Sequence, residues 1–506
     1  MSALSSSTTP PKTDQRQDDS LIIPFEGARC FFIGVGGCGM SGLVREFKSR
    51  GAAVSGVDMT ATETTESLQR EGVEVGLDDA AATLPDACDC VIMSAAVALD
   101  HPLVRAAKAN GIPTWTYAEA LGACMHGRTG VAIAGAHGKS TTAAMLAVAL
   151  IHAGLDPSVI VGATVPQLSG DGSAHRVGHR IGAGAIPAGR KQGDPGVFIA
   201  EACEFNRSFH NLRPTIASIG VVEADHLDIY GSLDALIEAY AHFASLVAPA
   251  SEGGKLIIGH DGAHRREIAA DLECDVETIG FSPESDWRIE SGSEGRVSLH
   301  HAGERVAGWT SPLPGEHNTF NAATAMALAI SLGAGPDRAG EGISTFRGVH
   351  RRTEFLGERD LPSGGAVRVY DDYGHHPTEV DATLRAIRAH ENIDGANGRL
   401  VCVFQPHQHS RTRFLLSEFA QSFSQADLVI VPHIYFVRDS ENEKSLISAG
   451  DLVDRLRERG VAAMHVYPFD AIVEQLEITC RAGDVLVVMG AGPVWKVAHG
   501  FMKGGA

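Results

Sequence analysis

Short apolar runs alternate along the chain with stretches suited to helices. The first run, residues 30–33, is followed by a glycine-rich turn, a helical stretch over residues 40–50 and a second apolar run over residues 53–57. This order of strand, glycine loop, helix and strand is typical of the βαβ unit of a doubly wound sheet. With a further strand at residues 90–93, the pattern predicts a first α/β unit over residues 25–127.

Two more units of the same kind follow. The pattern predicts strands at 130–134, 197–200, 216–222 and 255–258 with helices at 141–152 and 318–332, and then strands at 367–370, 400–404, 428–431 and 485–489. Residues 169–196 show no clear period and are predicted to form a long loop. We therefore expect three serial units at 25–127, 128–346 and 347–506, after a disordered tail at 1–24.

The composition excludes several classes of protein. The chain carries 42 Lys and Arg against 62 Asp and Glu, a formal net charge of −20, so nucleic acid is not expected as a partner. No apolar run approaches the ~20 residues that a membrane helix needs, and residues 1–24 lack the apolar core of a signal peptide. Nine scattered cysteines fit a reducing compartment rather than a disulfide framework. We expect a cytoplasmic protein with no membrane partner.

The first glycine turn predicts a site for the diphosphate of a nucleotide. Gly34, Gly36 and Gly39 match the dinucleotide fingerprint, and Asp58 lies where a ribose-binding acid would fall. The glycines let the backbone approach a pyrophosphate at the start of a helix. A glycine turn without a ligand and a nicotinamide-dependent dehydrogenase are the two alternatives that this pattern alone leaves open.

A second loop, residues 135–142, predicts a site for a nucleoside triphosphate. It ends in the Gly-Lys-Ser of a phosphate-binding loop but is shorter than the usual form, because Ile133 stands where the first glycine would be. Backbone N–H groups would bind phosphate, Lys139 would reach the outer phosphates, and the Ser140 hydroxyl would be available to Mg²⁺. Two phosphate loops in one chain indicate two different phosphorylated ligands.

Acidic and imidazole groups follow the strands of the second unit. Glu201 comes directly after one strand, and residues 225–228 (Asp-His-Leu-Asp) follow the next. Ligands of open α/β sheets lie beyond the carboxyl ends of the strands, so these groups are expected near the second phosphate loop. Mg²⁺ prefers oxygen, which makes Glu201 the favoured ligand and His226 an unusual one.

The third unit contains two histidine-rich segments, residues 370–379 and 404–411. Four histidines suggest zinc, but the neighbouring acids and arginine and the absence of cysteine ligands speak against it. A site for the carboxylate of an amino acid, with Arg411 as the clamp, is favoured instead.

Eight motifs stand in the order in which a known family has them. They are residues 34–42, 135–142, 225–228, 314–318 with Asn321, 348–352, 371–379, 404–412 and 489–492. On these motifs the chain resembles the Mur ligases from about residue 29 to about residue 497. Within that family it is most similar to the members that join L-alanine to UDP-N-acetylmuramate.

The resemblance implies an α/β fold of three serial domains and an ATP-dependent ligation. The domains would be a Rossmann-like UDP-binding domain, a central P-loop ATPase-like mononucleotide-binding domain and a C-terminal Rossmann-like domain that binds the amino acid. ATP would phosphorylate the carboxylate of UDP-N-acetylmuramate, and the amine of L-alanine would attack the acyl phosphate, in the synthesis of peptidoglycan precursors. Mg²⁺, with Mn²⁺ as a substitute, is the implied metal, and the protein would act as a monomer or homodimer.

The resemblance also assigns residues to each ligand. The UDP-sugar would be bound by Gly34, Gly36, Gly37, Gly39, Met40, Ser41, Asp58 and Ser94. ATP would be bound by Gly135, Ala136, His137, Gly138, Lys139, Ser140, Thr141, His317, Asn318, Asn321, Arg351 and Asp371. The amino acid would be bound by Tyr373, His375, His376 and Arg411. The metal would be bound by Ser140, Glu201 and His226, and the catalytic residues would be Lys139, Glu201 and His226.

Some positions depart from the commonest family pattern. Ala136 and Ser140 replace threonines, residues 203–206 replace an acid-rich run, Val221 stands for an asparagine, and Gln408 stands for an arginine. No lysine lies between Tyr230 and Leu246, so the carbamylated lysine of several relatives is not expected. Two alternatives remain besides the dehydrogenase: the recycling ligase that adds a preformed tripeptide to the same UDP-sugar, and a catalytically inactive scaffold.

Overall fold

The computed structural model describes residues 25–77, 83–169, 177–396 and 398–504. Three β-sheets follow one another along the chain, and helices cover their faces. The predicted α/β class with three serial units is confirmed. The tail predicted at 1–24 lies outside the described residues, and the exact boundaries at 127/128 and 346/347 stay predictions.

The first sheet has five parallel strands in the order β3-β2-β1-β4-β5. Its strands are β1 (Arg29–Ile33), β2 (Ala53–Asp58), β3 (Glu74–Leu77), β4 (Cys90–Met93) and β5 (Thr114–Thr116). Its helices are α1 (Cys38–Ser49), α2 (Glu63–Arg70), α3 (Pro102–Ala109) and α4 (Tyr117–Ala123). The strands are apolar because helices cover both faces of such a sheet. Phe32 of β1, for example, packs edge-on against Phe47 of α1 at 5.4 Å.

The second sheet has ten strands in the order β15-β14-β13-β12-β11-β10-β6-β9-β7-β8. Its strands are β6 (Thr129–Ala134), β7 (Ser158–Val165), β8 (Val177–Arg180), β9 (Val197–Glu201), β10 (Ile216–Ile219), β11 (Lys255–Gly259), β12 (Asp275–Gly280), β13 (Trp287–Ser291), β14 (Arg296–His301) and β15 (Glu304–Thr310). Its helices are α5 (Lys139–His152), α6 (Leu227–Tyr230), α7 (Leu233–Ser245), α8 (Arg265–Ile268), α9 (Glu316–Ser331) and α10 (Pro336–Ser344).

The alanine-rich helices α5 and α9 lie against each other in the core of this unit. Eleven of the 14 residues of α5 and 11 of the 16 residues of α9 are buried, in keeping with sequences rich in alanine and other small or apolar residues. Small side chains let the two helices approach closely, which brings the start of α9 to the phosphate loop at the start of α5.

Three parts of the second unit differ from the sequence prediction. The stretch predicted as a loop contains β8, which pairs antiparallel with β7, while residues 170–176 lie outside the described part. The antiparallel extension formed by β13, β14 and β15 was not predicted, because its strands mix charged, glycine and apolar residues. The strand predicted at 216–222 ends at Ile219, which leaves the following residues free to form the edge of the site.

The third sheet has six strands in the order β16-β17-β21-β18-β19-β20. Its strands are β16 (Glu354–Asp360), β17 (Ala366–Asp372), β18 (Leu400–Phe404), β19 (Leu428–Val431), β20 (Ala463–His465) and β21 (Val485–Met489). Its helices are α11 (Pro377–His390), α12 (Ile393–Ala396), α13 (His409–Phe414), α14 (Leu416–Ser422), α15 (Glu441–Leu446), α16 (Ala449–Glu458), α17 (Phe469–Thr479) and α18 (Trp495–Lys503). Only β16 runs antiparallel to its neighbour. None of the helices described in the three units has the length and apolar character needed to cross a membrane.

Helix α1 of the first unit packs directly on the β7–β8 hairpin of the second. A Cβ atom at Gly42 would lie 3.0 Å from the Cβ of His179, and a Cβ atom at Gly178 would lie 2.5 Å from the Sγ of Cys38. The two glycines therefore permit this close contact between units. Burial and the nearby Arg45 lower the pKa of His179 to about 4, although Glu71 acts in the opposite sense.

This interface should lose stability in acid. The folded protein keeps His179 neutral, whereas the unfolded chain takes up a proton below the ordinary pKa of 6.5, so stability falls as the pH drops from about 6.5 toward 4. The loss amounts to at most about 3 kcal/mol. Urea unfolding at pH 7 and pH 4.5 should show a larger acid loss in the parent than in His179→Gln. An equal loss in both proteins would contradict this assignment, and His152→Gln, on the surface, serves as the control.

Candidate functional site

The second phosphate loop joins β6 to α5 and lies at the carboxyl edge of the central sheet. Gly135 and Gly138 have φ angles of +130° and +79°, which side chains other than glycine rarely tolerate. The Lys139 ammonium folds back over the loop and donates to the carbonyl oxygens of Gly135 at 2.6 Å and Ala136 at 3.1 Å. The loop is therefore built to present backbone N–H groups and one cation at the start of a helix, as phosphate requires.

Helix α9 braces this loop from the other side. A Cβ atom at Gly138 would lie 2.3 Å from the Asn321 side-chain oxygen, so only glycine fits there. The Thr142 hydroxyl donates to that same oxygen at 3.3 Å, and the Asn321 amide donates to Asn318 at 3.4 Å. Burial lowers the pKa of the neighbouring His317 to about 4, so its ring is neutral near pH 7.

A cleft of about 950 Å³ opens in front of the loop, between the second and third units. Of the residues predicted to bind ATP, those that line it are His137, Gly138, Lys139, Ser140, Thr141, His317, Asn318 and Asn321. Gly135 and Ala136 form the loop behind it. Arg351 and Asp371, also predicted to bind ATP, do not line the cleft, because Arg351 lies 3.3 Å from Asp371 and donates to the Gly490 carbonyl. Arg352, Thr353 and Asp372 line the cleft instead. Burial raises the pKa of Asp371 to about 7, against the opposing effect of Arg351.

Lys139 has a buried carboxylate partner that the sequence did not reveal. Its ammonium donates to both carboxylate oxygens of Glu204, at 2.9 and 3.1 Å. Burial opposes the charge of Lys139, but Glu204 outweighs it and the pKa of the ammonium is raised. The backbone of Glu204 accepts a hydrogen bond from the Tyr230 hydroxyl, and His226 Nε2 lies 3.8 Å from its side chain. Glu204 thus holds Lys139 charged beside the predicted metal ligand His226.

Glu201 ends β9 and lies between the two phosphate loops. Burial, followed by the Glu201 carboxylate, raises the pKa of Cys38 to about 11 and also raises the pKa of Tyr117. The same carboxylate contributes to the raised pKa of Lys139. Among the described residues, the Glu201 Oε1 atom is buried and has no hydrogen-bond partner. An unsatisfied carboxylate oxygen beside a phosphate loop fits a divalent cation.

The predicted metal ligands therefore have suitable chemistry. Ser140 offers a hydroxyl at the start of α5, and Glu201 offers the unsatisfied oxygen. Burial lowers the pKa of His226, which leaves a neutral ring that can donate a lone pair. Val221, a departure from the family pattern, does not disturb the loop, because its carbonyl accepts from the Ala136 N–H at 2.8 Å.

The first phosphate loop has the fingerprint geometry. Gly34 has a φ of +85°, and a Cβ atom on it would lie 3.0 Å from Ser94. The Gly36 N–H donates to the Asp58 carboxylate at 2.7 Å, so Asp58 braces the loop. A Cβ atom at Gly39 would lie 2.5 Å from the Tyr117 hydroxyl. Of the other predicted UDP-sugar ligands, Gly37 precedes α1, while Met40 and Ser41 are buried within it.

A cluster of four side chains joins the second phosphate loop, which is the predicted ATP loop, to the third unit. We call it the histidine cluster, and it consists of His137, Glu223, His376 and Glu379. His137 Nε2 contacts Glu223, and His137 Nδ1 lies 3.1 Å from Glu379. Burial lowers the pKa of His137, but the two carboxylates outweigh it and raise that pKa to about 10. The His376 ring lies 5.0 Å from the His137 ring. His376 therefore faces the ATP loop and not the other predicted amino-acid ligands.

Those other ligands form a second group that crosses between units. Arg411 donates to a single Asp225 oxygen from Nε at 3.2 Å and from a terminal nitrogen at 2.6 Å, and both side chains are about 7% exposed. Another guanidinium nitrogen lies 3.3 Å from His407 Nδ1, and the ring of His407 lies 5.8 Å from that of His375. Tyr373 packs against His375 at 5.4 Å.

The sequence did not single out seven residues that the structure places at the site: Glu204, Glu223, Arg352, Thr353, Asp372, Glu379 and His407. Apart from Glu204, each stands within or beside a motif, and most of these roles depend on contacts between chain segments far apart in sequence. Glu379, for example, meets His137 across 242 positions of sequence. A spacing rule cannot detect such a contact.

Comparison with known proteins decides the family. Three family profiles match in series: "Mur ligase family, catalytic domain" at 30–129, "Mur ligase middle domain" at 133–329 and "Mur ligase, glutamate ligase domain" at 351–492. The UDP-N-acetylmuramate–L-alanine ligase of Caldanaerobacter subterraneus is 34% identical over 481 residues, which cover 94% of this chain and 97% of that protein. The chain belongs to the Mur ligase family.

Further relatives agree with this membership. The UDP-N-acetylmuramate–L-alanine ligase of Paenarthrobacter aurescens is 38% identical over 92% of this chain and 94% of its own length. The crystal structure of the UDP-N-acetylmuramate–alanine ligase of Thermotoga maritima superposes with a TM-score of 0.71 over 94% of this chain and 98% of that one, at 24% identity, which supports the fold. Membership in this ATP-dependent family removes the dehydrogenase alternative.

Proposed function

We propose that this chain joins L-alanine to the carboxylate of UDP-N-acetylmuramate at the expense of ATP, in the synthesis of peptidoglycan precursors. The observation that carries the proposal is the likeness, at 33–38% identity over more than nine-tenths of the chain, to relatives named UDP-N-acetylmuramate–L-alanine ligase. The site supports it, because Lys139, Glu201 and His226 are all retained around the ATP loop.

The residues of this chain divide the work of the reaction. The loop N–H groups and Lys139 hold the transferring phosphate and neutralise its charge, so that the sugar carboxylate can attack the γ-phosphorus, ADP can leave, and an acyl phosphate forms. A divalent cation held by Ser140, Glu201 and His226 would supply further positive charge on the phosphates. Glu204 keeps Lys139 protonated and directed at the loop.

The amine must then attack the acyl phosphate from the third unit. Arg411 pairs with the Asp225 carboxylate, and the His407 ring lies beside Arg411 and near the His375 ring. Burial lowers the pKa of both rings. These groups are suited to contact the carboxylate of alanine. Its ammonium must lose a proton before the amine attacks the acyl carbon and displaces phosphate. His376, predicted for the same pocket, lies instead at the ATP loop.

The test is incubation of the purified chain with UDP-N-acetylmuramate, ATP, Mg²⁺ and one amino donor at a time, with phosphate release as the readout. Phosphate release with L-alanine, and formation of the corresponding UDP product, is expected. Release with the preformed tripeptide and not with alanine would identify the recycling ligase. No release with any donor would support the inactive scaffold.

We predict that activity depends on a divalent ion and that either Mg²⁺ or Mn²⁺ meets this requirement. Hard oxygen ligands around a nucleotide favour these ions, and removal of trace zinc should not lower the rate. Assays of the chelator-treated protein with each ion added back provide the measurement. Stoichiometric zinc in the purified protein, with activity lost when it is removed, would contradict the prediction.

A further inference from the structure

Three metal-ligating atoms of the histidine cluster lie close together where the second and third units meet. His137, Glu223 and His376 each offer one atom, and the three atoms lie within 4.8 Å of one another. His137 belongs to the ATP loop, Glu223 follows β10, and His376 caps α11 of the third unit. The group is thus assembled by the contact between units and has no counterpart in sequence spacing.

We propose that His137 Nε2, Glu223 Oε1 and His376 Nδ1 form an inhibitory site for a borderline divalent metal ion of the Zn²⁺ type. The ion would join the ATP loop to the third unit. This site is separate from the Mg²⁺ site that we assign to Ser140, Glu201 and His226.

Each proposed ligand is oriented by a second contact on its other polar atom. His137 Nδ1 lies 3.1 Å from the Glu379 carboxylate, which leaves Nε2 as the atom directed at Glu223. Burial is outweighed by the two carboxylates, which raise the pKa of His137 to about 10, so an ion that binds Nε2 displaces its proton to solvent. The second oxygen of Glu223 accepts the Thr378 hydroxyl at 2.8 Å. His376 Nε2 lies 3.3 Å from the Ala224 carbonyl, and Nδ1 lies 3.9 Å from Glu223. Nδ1 also accepts the Thr378 N–H at 3.4 Å as the cap of α11, so a bound ion would replace that cap bond. A carboxylate behind a ligating imidazole is the usual outer arrangement of zinc sites.

The donor set selects among metals. Two imidazole nitrogens and one carboxylate suit Zn²⁺ and similar ions, whereas Mg²⁺ prefers oxygen ligands alone. Three protein ligands leave the fourth tetrahedral position for water or a phosphate oxygen. His375 and His407 of the third unit are poorly suited, because both lie beside the positive charge of Arg411.

The position of the site explains why a bound ion would inhibit. His137, Glu223, Thr378 and Glu379 all line the nucleotide cleft. An ion that fixes both walls of the cleft would oppose the relative motion by which nucleotide enters and product leaves. Zinc should therefore inhibit the ligase even when Mg²⁺ is in large excess.

Direct binding to the full-length, metal-free protein tests the site without reference to catalysis. Zn²⁺ is titrated calorimetrically in the presence of millimolar Mg²⁺ and without nucleotide. The parent should bind one Zn²⁺, and Glu223→Gln and His376→Asn should each abolish this binding. Glu379→Gln should weaken the affinity for Zn²⁺ by about 10–100-fold. His152→Asn, which removes a surface histidine, should bind as the parent does.

Circular dichroism of each variant confirms that it is folded, and Glu223→Gln preserves the size of the side chain it replaces. Unchanged zinc affinity in folded Glu223→Gln and His376→Asn would overturn the proposal. So would a Co²⁺ derivative of the parent that shows sulfur-to-metal charge transfer, because that spectrum would place the ion on a cysteine.

The inhibitory role has its own measurement. Each variant's activity is followed as Zn²⁺ is added and is normalised to its own zinc-free rate. Glu379→Gln should need about 10–100-fold more zinc than the parent for half inhibition. Binding without inhibition in the parent would overturn the inhibitory role. A chain with no ligase activity at all would refute the proposed function while the binding test still decides the metal site.

Discussion

Lys139→Ala is expected to lower kcat by about 10²- to 10³-fold or more, because removal of a single group that neutralises the reacting phosphate has effects of this size. The structure adds a second consequence. Lys139 is the ion-pair partner of Glu204, whose side chain is only 4% exposed, so the substitution leaves a buried carboxylate unpaired. Loss of activity and loss of stability must therefore be separated.

Two further variants separate them. Lys139→Ala combined with Glu204→Gln removes the unpaired charge, and it should recover thermal stability while remaining inactive. Lys255→Ala breaks another partly buried Lys–Glu pair, with Glu277 at 2.6 Å on the central sheet and away from the cleft, and should keep its activity. Steady-state rates and thermal melts of all three provide the measurement. A folded Lys139→Ala protein within a few-fold of the parent rate would refute the role of Lys139.

The second large effect is expected at the ion pair between Asp225 and Arg411. Asp225→Asn and Arg411→Met each leave one buried charge without its partner, and each should cost about 3–5 kcal/mol. The pair joins the second and third units, so the loss should appear as easier opening of α13 in native-state hydrogen exchange. Asp225→Leu combined with Arg411→Met should recover most of this loss.

A neighbouring arginine on the same helix supplies the control. Arg413 pairs with Glu443 at 3.0 Å inside the third unit, and their side chains are 34% and 24% exposed. Arg413→Met should therefore cost no more than about 1 kcal/mol. Equal opening of α13 in the Arg411 and Arg413 variants would show that the Asp225–Arg411 pair does not hold the two units together.

Much of the fold was predictable because its elements have strong local signals. The apolar runs before both phosphate loops, and the alanine-rich stretches that became α5 and α9, each combine a periodic or compositional pattern with glycine at a boundary. Strand β8 and the β13–β15 extension were missed. Their residues are mixed in character, and pairing with neighbouring strands, not local preference, makes them strands.

The candidate site was likewise predictable where the signal in the sequence is local. Residues contiguous with a glycine loop, such as Lys139 and Ser140, lie where the motif places them, since the loop and the helix start fix their positions. Arg351 and His376 lie elsewhere than expected. Arg351 pairs with Asp371, and the His376 ring lies near the His137 ring of the ATP loop. Neighbouring positions on one segment can face opposite directions, so spacing alone does not place such side chains.

By itself, the sequence determined the α/β class, the two phosphate loops, the family resemblance and the reaction that it implies. These features depend on short-range spacing, because a glycine turn, a strand and a helix start lie within a few residues of each other. Only the tertiary structure decided that Lys139 is paired with Glu204, that Arg411 is paired with Asp225, and that His137, Glu223 and His376 meet. Those contacts join segments 65 to 239 positions apart, and the packing of two sheets, not the local chain, sets which side chains face each other.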